Sequence, residues 1–142
     1  MKTIRQLLES KGHDIWSISP DATVYDAIKM MAEKEIGALL IMDGSRPVGI
    51  LSERDYARKI ILKGRSSRET KVRDIMTADV IFADTDQSIE GCMALMTNKR
   101  IRHLPILDEG KLIAVVSIGD LVKCIIAEQK FVIEQLESYI NG

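Results

Sequence analysis

Part of this chain occurs twice within it. Displaced by 65 residues without a gap, Ile15–Leu62 falls on Val80–Ala127. Identities in this register include Asp21/Asp86, Met31/Met96, Lys34/Lys99, Ile36/Ile101, Leu39/Leu104, Ile41/Ile106, Asp43/Asp108, Ser52/Ser117 and Asp55/Asp120. A match confined to apolar positions would reflect only a shared period. This one also pairs acids, serines and lysines, so it marks a duplication. Two copies are too few for a solenoid, and the expectation is a pair of modules with pseudo-twofold symmetry.

Each copy carries the same order of local signals. A short apolar strand (Ile15–Ile18; Val80–Ala83) runs into the turn residues Ser19-Pro20-Asp21 or Asp84-Thr85-Asp86. A helix starts behind Thr23 or Ser88, both good N-caps, with apolar residues at helical spacing. Two β-rich runs follow (Ala38–Met42 and Val48–Leu51; Leu104–Leu107 and Leu112–Val116), joined by Asp43-Gly44 or Asp108-Glu109-Gly110 as in a hairpin. A second helix closes each unit, stopping at Gly64 in the first copy and running from Leu121 towards Ile140 in the other. The predicted fold is mixed α/β (α+β): two β-α-β-β-α repeats, a short amphipathic helix over Met1–Ser10, and a long helix at the other end.

Sequence order suggests three segments: 1–64 as the first helix plus first repeat, 65–75 as a basic surface linker, and 76–142 as the second repeat with its long helix. The polar stretch Lys63–Lys71 carries no apolar anchor, which motivates the linker. The long helix carries Leu121, Ile125, Val132, Leu136 and Ile140 at near-helical intervals, a stripe that needs a cover. A homodimer is therefore expected.

Composition narrows the partners. Twenty Lys and Arg oppose twenty-one Asp and Glu in 142 residues, a net charge of −1. Such a balance exerts no long-range pull on nucleic acid or an anionic membrane, so neither is expected as a partner. No apolar run approaches the roughly 18 residues that cross a bilayer. The opening Met1-Lys2-Thr3-Ile4-Arg5 lacks a signal-peptide core. Cys92 and Cys124 lie in apolar helical patterns and make neither a disulfide framework nor a four-ligand zinc site. The expected setting is the cytoplasm.

The chemistry-bearing motif sits where each hairpin feeds its second helix: Gly49-Ile50-Leu51-Ser52-Glu53-Arg54-Asp55 and Ala114-Val115-Val116-Ser117-Ile118-Gly119-Asp120. S-x-x-D is first of all a helix-capping arrangement. The same geometry offers free amides to phosphate and a carboxylate to ribose hydroxyls. Its recurrence at one internal position argues for use as a site. A basic run, Lys99-Arg100-Ile101-Arg102-His103, precedes the second hairpin. Arg102 and His103 replace the small neutral pair Gly37-Ala38 of the first copy, so one site should accept more phosphate charge. Trp16, the only tryptophan, suits core packing and base stacking about equally. His13 has no acid or nucleophile at motif spacing and reads as a surface residue. The seven methionines read as gap-fillers on apolar helix faces.

The repeat order, the doubled S-x-x-D and the segment Arg102-His103-Leu104-Pro105 together resemble a tandem pair of CBS domains, named for cystathionine β-synthase. Ser52-Glu53-Arg54-Asp55-Tyr56-Ala57-Arg58-Lys59, with Lys71-Val72-Arg73-Asp74-Ile75-Met76-Thr77, is similar to stand-alone two-CBS proteins of bacteria and plant organelles. The resemblance implies adenine nucleotides (AMP, ADP, ATP or NAD(H)) as regulatory ligands in two clefts. It implies Ser52, Arg54 and Asp55 for one cleft, faced by Ile81, Arg102 and His103. It implies Ser117, Gly119 and Asp120 for the other, faced by Trp16, Gly37 and Ala38. Ala114 departs from the family's usual glycine and is expected to narrow the approach to that ligand. No nucleophile–histidine pair, zinc ligand set, P-loop or GxGxxG occurs, so no catalytic residue is assigned. The implied function is a nucleotide sensor that modulates an unidentified protein. The alternatives are a dimerisation adaptor with vestigial sites and an NAD-linked enzyme.

Overall fold

The computed structural model describes residues 2–142, so Met1, where the expected first helix begins, lies outside them. The elements run α1 (Ile4–Lys11), β1 (Ser17–Ile18), α2 (Val24–Lys34), β2 (Ala38–Asp43), β3 (Arg46–Ser52), α3 (Glu53–Tyr56), β4 (Ala83–Asp84), α4 (Ile89–Lys99), β5 (His103–Asp108), β6 (Lys111–Ser117) and α5 (Ile118–Asn141). Thr23 and Ser88 cap α2 and α4 as their sequence positions predict, accepting from the amides of Asp26 and Gly91. Both helices end on a left-handed residue that is not glycine, Glu35 and Arg100, at equivalent repeat positions.

Two three-stranded sheets result, β1-β2-β3 and β4-β5-β6, each with one parallel and one antiparallel pair. The duplication extends to detail: each hairpin bulges at the same place, Ile41/Met42 and Ile106/Leu107. Glu109 and Gly110 both have positive φ, as the type I′ turn between β5 and β6 demands. The first strands are shorter than the apolar runs suggested, covering Ser17–Ile18 and Ala83–Asp84 instead of Ile15–Ile18 and Val80–Ala83. Trp16 stands just outside its strand. The second helices differ as expected. The first passes from α3 into a π-helical turn, Ala57–Ile61, and ends near Gly64 at φ 65°, while α5 continues for 24 residues.

The chain divides into two compact units, residues 15–80 and residues 2–14 with 81–142. This differs from the grouping by sequence order, which put the first helix with the first repeat. Ile4, Leu7 and Leu8 of α1 are buried in one core with Ile89, Cys92, Met96, Leu104, Ile106, Ala114, Val116 and Leu121 of the second repeat. Part of the expected linker 65–75 likewise joins a core, while 65–69 stay at the surface. Val72 and Ile75 are buried with Val24, Ala27, Met31, Leu39, Ile41, Leu51 and Ile60 of the first repeat, and Thr70 is buried too.

Backbone hydrogen bonds show why. The Ile4 and Arg5 amides donate to the carbonyls of Gln87 and Thr85, and the Ile89 amide donates to Lys2. In the other unit the Val72 and Arg73 amides donate to Ala22 and Pro20, and Val24 donates to Thr70. These partners correspond across the 65-residue repeat. Each repeat's leading segment therefore satisfies the first turn of the other repeat's helix. Arg5 and Arg73 complete the correspondence by pairing with Asp86 and Asp21.

Two outcomes follow. Ile4→Ala should cost about 2–5 kcal/mol, the usual range for a fully buried isoleucine. Hydrogen-exchange protection should then fall in α4, β5 and β6 while β2 and β3 keep theirs. Loss confined to residues 15–64 would contradict the grouping. The second outcome concerns acid. Hydrogen bonds from the Arg5 guanidinium, then its charge and the Thr85 hydroxyl, hold the Asp108 carboxyl below its ordinary range. Its folded pKa is lowered, so the increment is present at neutral pH and lost as pH falls through that lowered value. Both side chains are partly exposed, which keeps the increment small. Urea midpoints at pH 7 and pH 3 should differ less in Arg5→Ala than in the unaltered protein.

Candidate functional site

Each repeat gathers its own share of the sequence-predicted residues at one place, where the hairpin's last strand becomes a helix. In the first repeat Ser52 is both the last residue of β3 and the N-cap of α3. Its hydroxyl accepts from the Asp55 amide at 3.1 Å, and its own amide donates to Asp55 Oδ2 at 3.0 Å. The hydroxyl also donates to the same oxygen at 3.1 Å. Ala38 is the register partner of Ser52, and the Gly37 carbonyl accepts from the Glu53 amide at 3.0 Å. Gly37, Ala38, Ser52 and Asp55 thus lie side by side, with Arg54 exposed.

The second repeat keeps both amide bonds of this arrangement. Ser117 caps α5, accepts from the Asp120 amide at 3.1 Å and donates its amide to Asp120 Oδ2 at 2.8 Å. His103 is the register partner of Ser117, and the Arg102 carbonyl accepts from the Ile118 amide at 2.8 Å. Arg102 and His103 therefore take the places of Gly37 and Ala38 beside the acid, with Arg102 exposed. Ile81 is half-buried against the same unit's core. At Gly119 a Cβ would meet only Ser117 Oγ, at an ordinary 3.6 Å, so packing does not require glycine there.

Three placements were not legible. Trp16 packs under Lys34, whose Nζ lies 4.2 Å from the ring centroid, and stays 38% exposed, so it is not a core residue. Ala114, expected to narrow the approach to a ligand, is wholly buried in its core, and so does not reach a site. Its counterpart Gly49 lies under Met76, whose Sδ would be 2.5 Å from an added Cβ. That glycine serves packing. His13 is exposed, as expected.

The sequence reading also missed a lysine at each acid. Lys59 Nζ lies 3.1 Å from Asp55 Oδ1 and donates at 2.8 Å to the Ile75 carbonyl. Its i,i+4 spacing from Asp55 was a usable signal. Lys11 Nζ lies 3.5 Å from Asp120 Oδ2. Nothing in the sequence pointed to it, because α1 reaches Asp120 only through the exchange of leading segments. The Asp55 side chain is 15% exposed and that of Asp120 26%. Each Ser–Asp turn therefore presents a shielded carboxylate beside one ammonium, with cap hydrogen bonds fixing its rotamer. Such a group accepts hydrogen bonds from a pair of hydroxyls, and the adjoining cation suits an anion. Among the described residues there is no cluster of His, Cys, Asp and Glu that could hold a metal ion.

A family model described as the CBS domain matches twice, over residues 6–62 and 72–127. The chain belongs to the CBS-domain family. It is 40% identical over 150 aligned positions to a mitochondrial CBS domain-containing protein of Arabidopsis thaliana, CBSX3, covering 99% of this chain and 72% of that one. A solved CBS-domain protein from Burkholderia ambifaria MC40-6 shares 54% identity at a TM-score of 0.87, covering 90% of this chain and 96% of that one. Another, from Agrobacterium tumefaciens, shares 31% identity at a TM-score of 0.83, covering 87% and 98%. These relatives are stand-alone CBS-domain proteins, and the family is generally regulatory and nucleotide-binding. No helix among the described residues is long and apolar enough to cross a membrane. The Arabidopsis relative is mitochondrial by name, so kinship gives no support to the cytoplasmic expectation.

The acids hold helix caps whether or not they hold a ligand. Ser52→Ala and Ser117→Ala, which remove the caps that these acids complete, should each lower unfolding free energy by about 1 kcal/mol, the common value of a lost cap, in urea titrations at pH 7. A change near zero for both would mean that the capping boxes are not formed.

Proposed function

We propose that this CBS-domain protein is a regulatory module that binds an adenine nucleotide (AMP, ADP, ATP or NAD(H)) at each duplicated Ser–Asp turn and thereby adjusts a partner protein. The reading is carried by one observation: a serine-fixed, shielded carboxylate with an adjoining lysine occurs twice, at equivalent positions. Asp55 and Asp120 accept the ribose hydroxyls, and Ser52 and Ser117 border the phosphates. The ribose takes over the carboxylate oxygen that the lysine contacts, which frees Lys59 or Lys11 for phosphate. Of the remaining candidates, Trp16, Gly37, Ala38, Ile81 and Gly119 shape room for the base, while Arg54, Arg102 and His103 carry charge for the phosphates.

Regulation then follows from differential affinity. A ligand that prefers one arrangement of the protein shifts the population towards it, and a partner that reads that arrangement is affected reciprocally. No step of bond-making is assigned to any residue. We infer a homodimer as the working form. The opposing reading, an adaptor with vestigial sites, draws on the same geometry, since both acids are already satisfied by capping and lysine contacts. The cytoplasm and a mitochondrial compartment both supply the proposed ligands.

Calorimetric titration with AMP, ATP and NADH separates the two readings. At least one nucleotide should bind, and Asp55→Ala or Asp120→Ala should weaken its own site about tenfold or more, as loss of hydrogen bonds to a charged group predicts. Absence of heat with all three, or unaltered affinity in the double variant, would leave the adaptor.

A further inference from the structure

Both acids meet an ammonium, yet the two lysines are not counterparts. At the 65-residue shift that superposes the repeats, Lys59 falls on Cys124, which packs against its core. When the leading segments are superposed, Ile4 on Val72 and Arg5 on Arg73, Lys11 falls on Asp79. A pair inherited through the duplication would use equivalent residues in both copies. Here the second copy lacks the lysine of the first, and α1 brings an ammonium from elsewhere in the chain, with Lys11 Nζ 3.5 Å from Asp120 Oδ2. The same pair is built by two routes, which points to a use for the ammonium beside the acid itself.

The contested oxygen indicates that use. Asp120 Oδ2 accepts the Ser117 amide at 2.8 Å and also faces Lys11. A ribose diol that bonds to both oxygens of this carboxylate takes the place the ammonium holds. Lys11 is the last residue of α1 and partly exposed, and its flexible stem lets the head move while Ile4, Leu7 and Leu8 keep the helix packed. What the displaced ammonium meets next depends on the ligand. A free nucleoside offers it only water, so the broken pair is an uncompensated loss. A nucleotide carries, on the same sugar, a phosphate of about −1.5 to −2 charge, which draws an ammonium more strongly than one carboxylate does.

We propose that Lys11 makes the second Ser–Asp turn select phosphorylated adenosine over the free nucleoside, by guarding Asp120 against a sugar that brings no phosphate. The inference rests on the ribose-binding reading of the preceding subsection and adds to it a basis for ligand selection. Because Lys11 rides on α1, selection at the second turn depends on the segment that leads the first repeat. The first turn has a lysine of its own: Lys59 lies one helical turn after Asp55 and is also held by the Ile75 carbonyl.

Titration of the full-length Asp55→Ala variant with AMP and with adenosine tests this, since Asp120 is then the remaining ribose acceptor. Calorimetry reads the tighter ligand and amide chemical shifts the weaker one, with circular dichroism as the check on folding. Adding Lys11→Gln should weaken AMP and strengthen adenosine, each about twofold to fivefold, the range for a partly exposed pair. The preference for AMP then falls roughly tenfold. Lys11→Arg should keep that preference, because a guanidinium pairs with carboxylate and phosphate alike. A lysine that only stabilises α1 would move both ligands in the same direction. Adenosine that fails to gain, AMP that fails to weaken, or an arginine variant that behaves like the glutamine one overturns the role of Lys11 and leaves the nucleotide reading standing. So does an Asp55→Ala protein that binds no AMP while the wild type does. A wild type that binds none of AMP, ATP and NADH overturns both.

Discussion

Neither repeat closes its fold with its own residues. Three short strands and two helices leave the first turn of α2 or α4 with unsatisfied backbone groups and an open apolar flank. The segment leading into the opposite repeat supplies both needs. Its backbone bonds to that first turn, and its apolar residues (Ile4, Leu7 and Leu8, or Val72 and Ile75) enter the core. The burial of α2 and α4 against their sheets draws on this loan of a few residues. Mutations in α1 therefore act on the repeat that is distant in sequence.

The Ser–Asp turns illustrate how one arrangement serves stability and recognition together. A cap fixes the carboxylate rotamer, so a ligand that uses the carboxylate meets a group already ordered, and less entropy is lost on binding. The duplication has not kept the two turns equivalent. Gly37 and Ala38 stand beside one acid where Arg102 and His103 stand beside the other, and Arg54 stands where the second copy has Gly119. One lysine comes from the acid's own helical run and the other from α1. The two turns share a carboxylate and differ in the charge around it.

Much of the fold was legible because its signals are local. Thr23 and Ser88 marked helix starts, Gly44 and the pair Glu109-Gly110 marked the turns, and the 65-residue repeat carried one assignment onto the other. The Ser–Asp capping boxes were legible for the same reason. What could not be read were relations between residues far apart in sequence. Lys63–Lys71 is polar and reads as linker, yet Thr70 within it and Val72 and Ile75 just beyond it are buried, since hydrogen bonds to α2 and Ala22 draw the chain down. The same holds for Lys11, which meets Asp120 across more than a hundred intervening residues. The parallel between Lys2-Thr3-Ile4-Arg5 and Thr70-Lys71-Val72-Arg73 was present in the sequence, but it lies three residues out of register with the main repeat. A gapless comparison passes over it.

The lysines give the leaders a further property. Lys59 clasps the Ile75 carbonyl with the same ammonium that meets Asp55, and Lys11 is itself the last residue of α1. Each carboxylate is thus tied, through one side chain, to the stretch of chain on loan from the neighbouring repeat. A hydroxyl or cation that competes for that carboxylate competes with the same lysine that holds, or ends, the borrowed stretch.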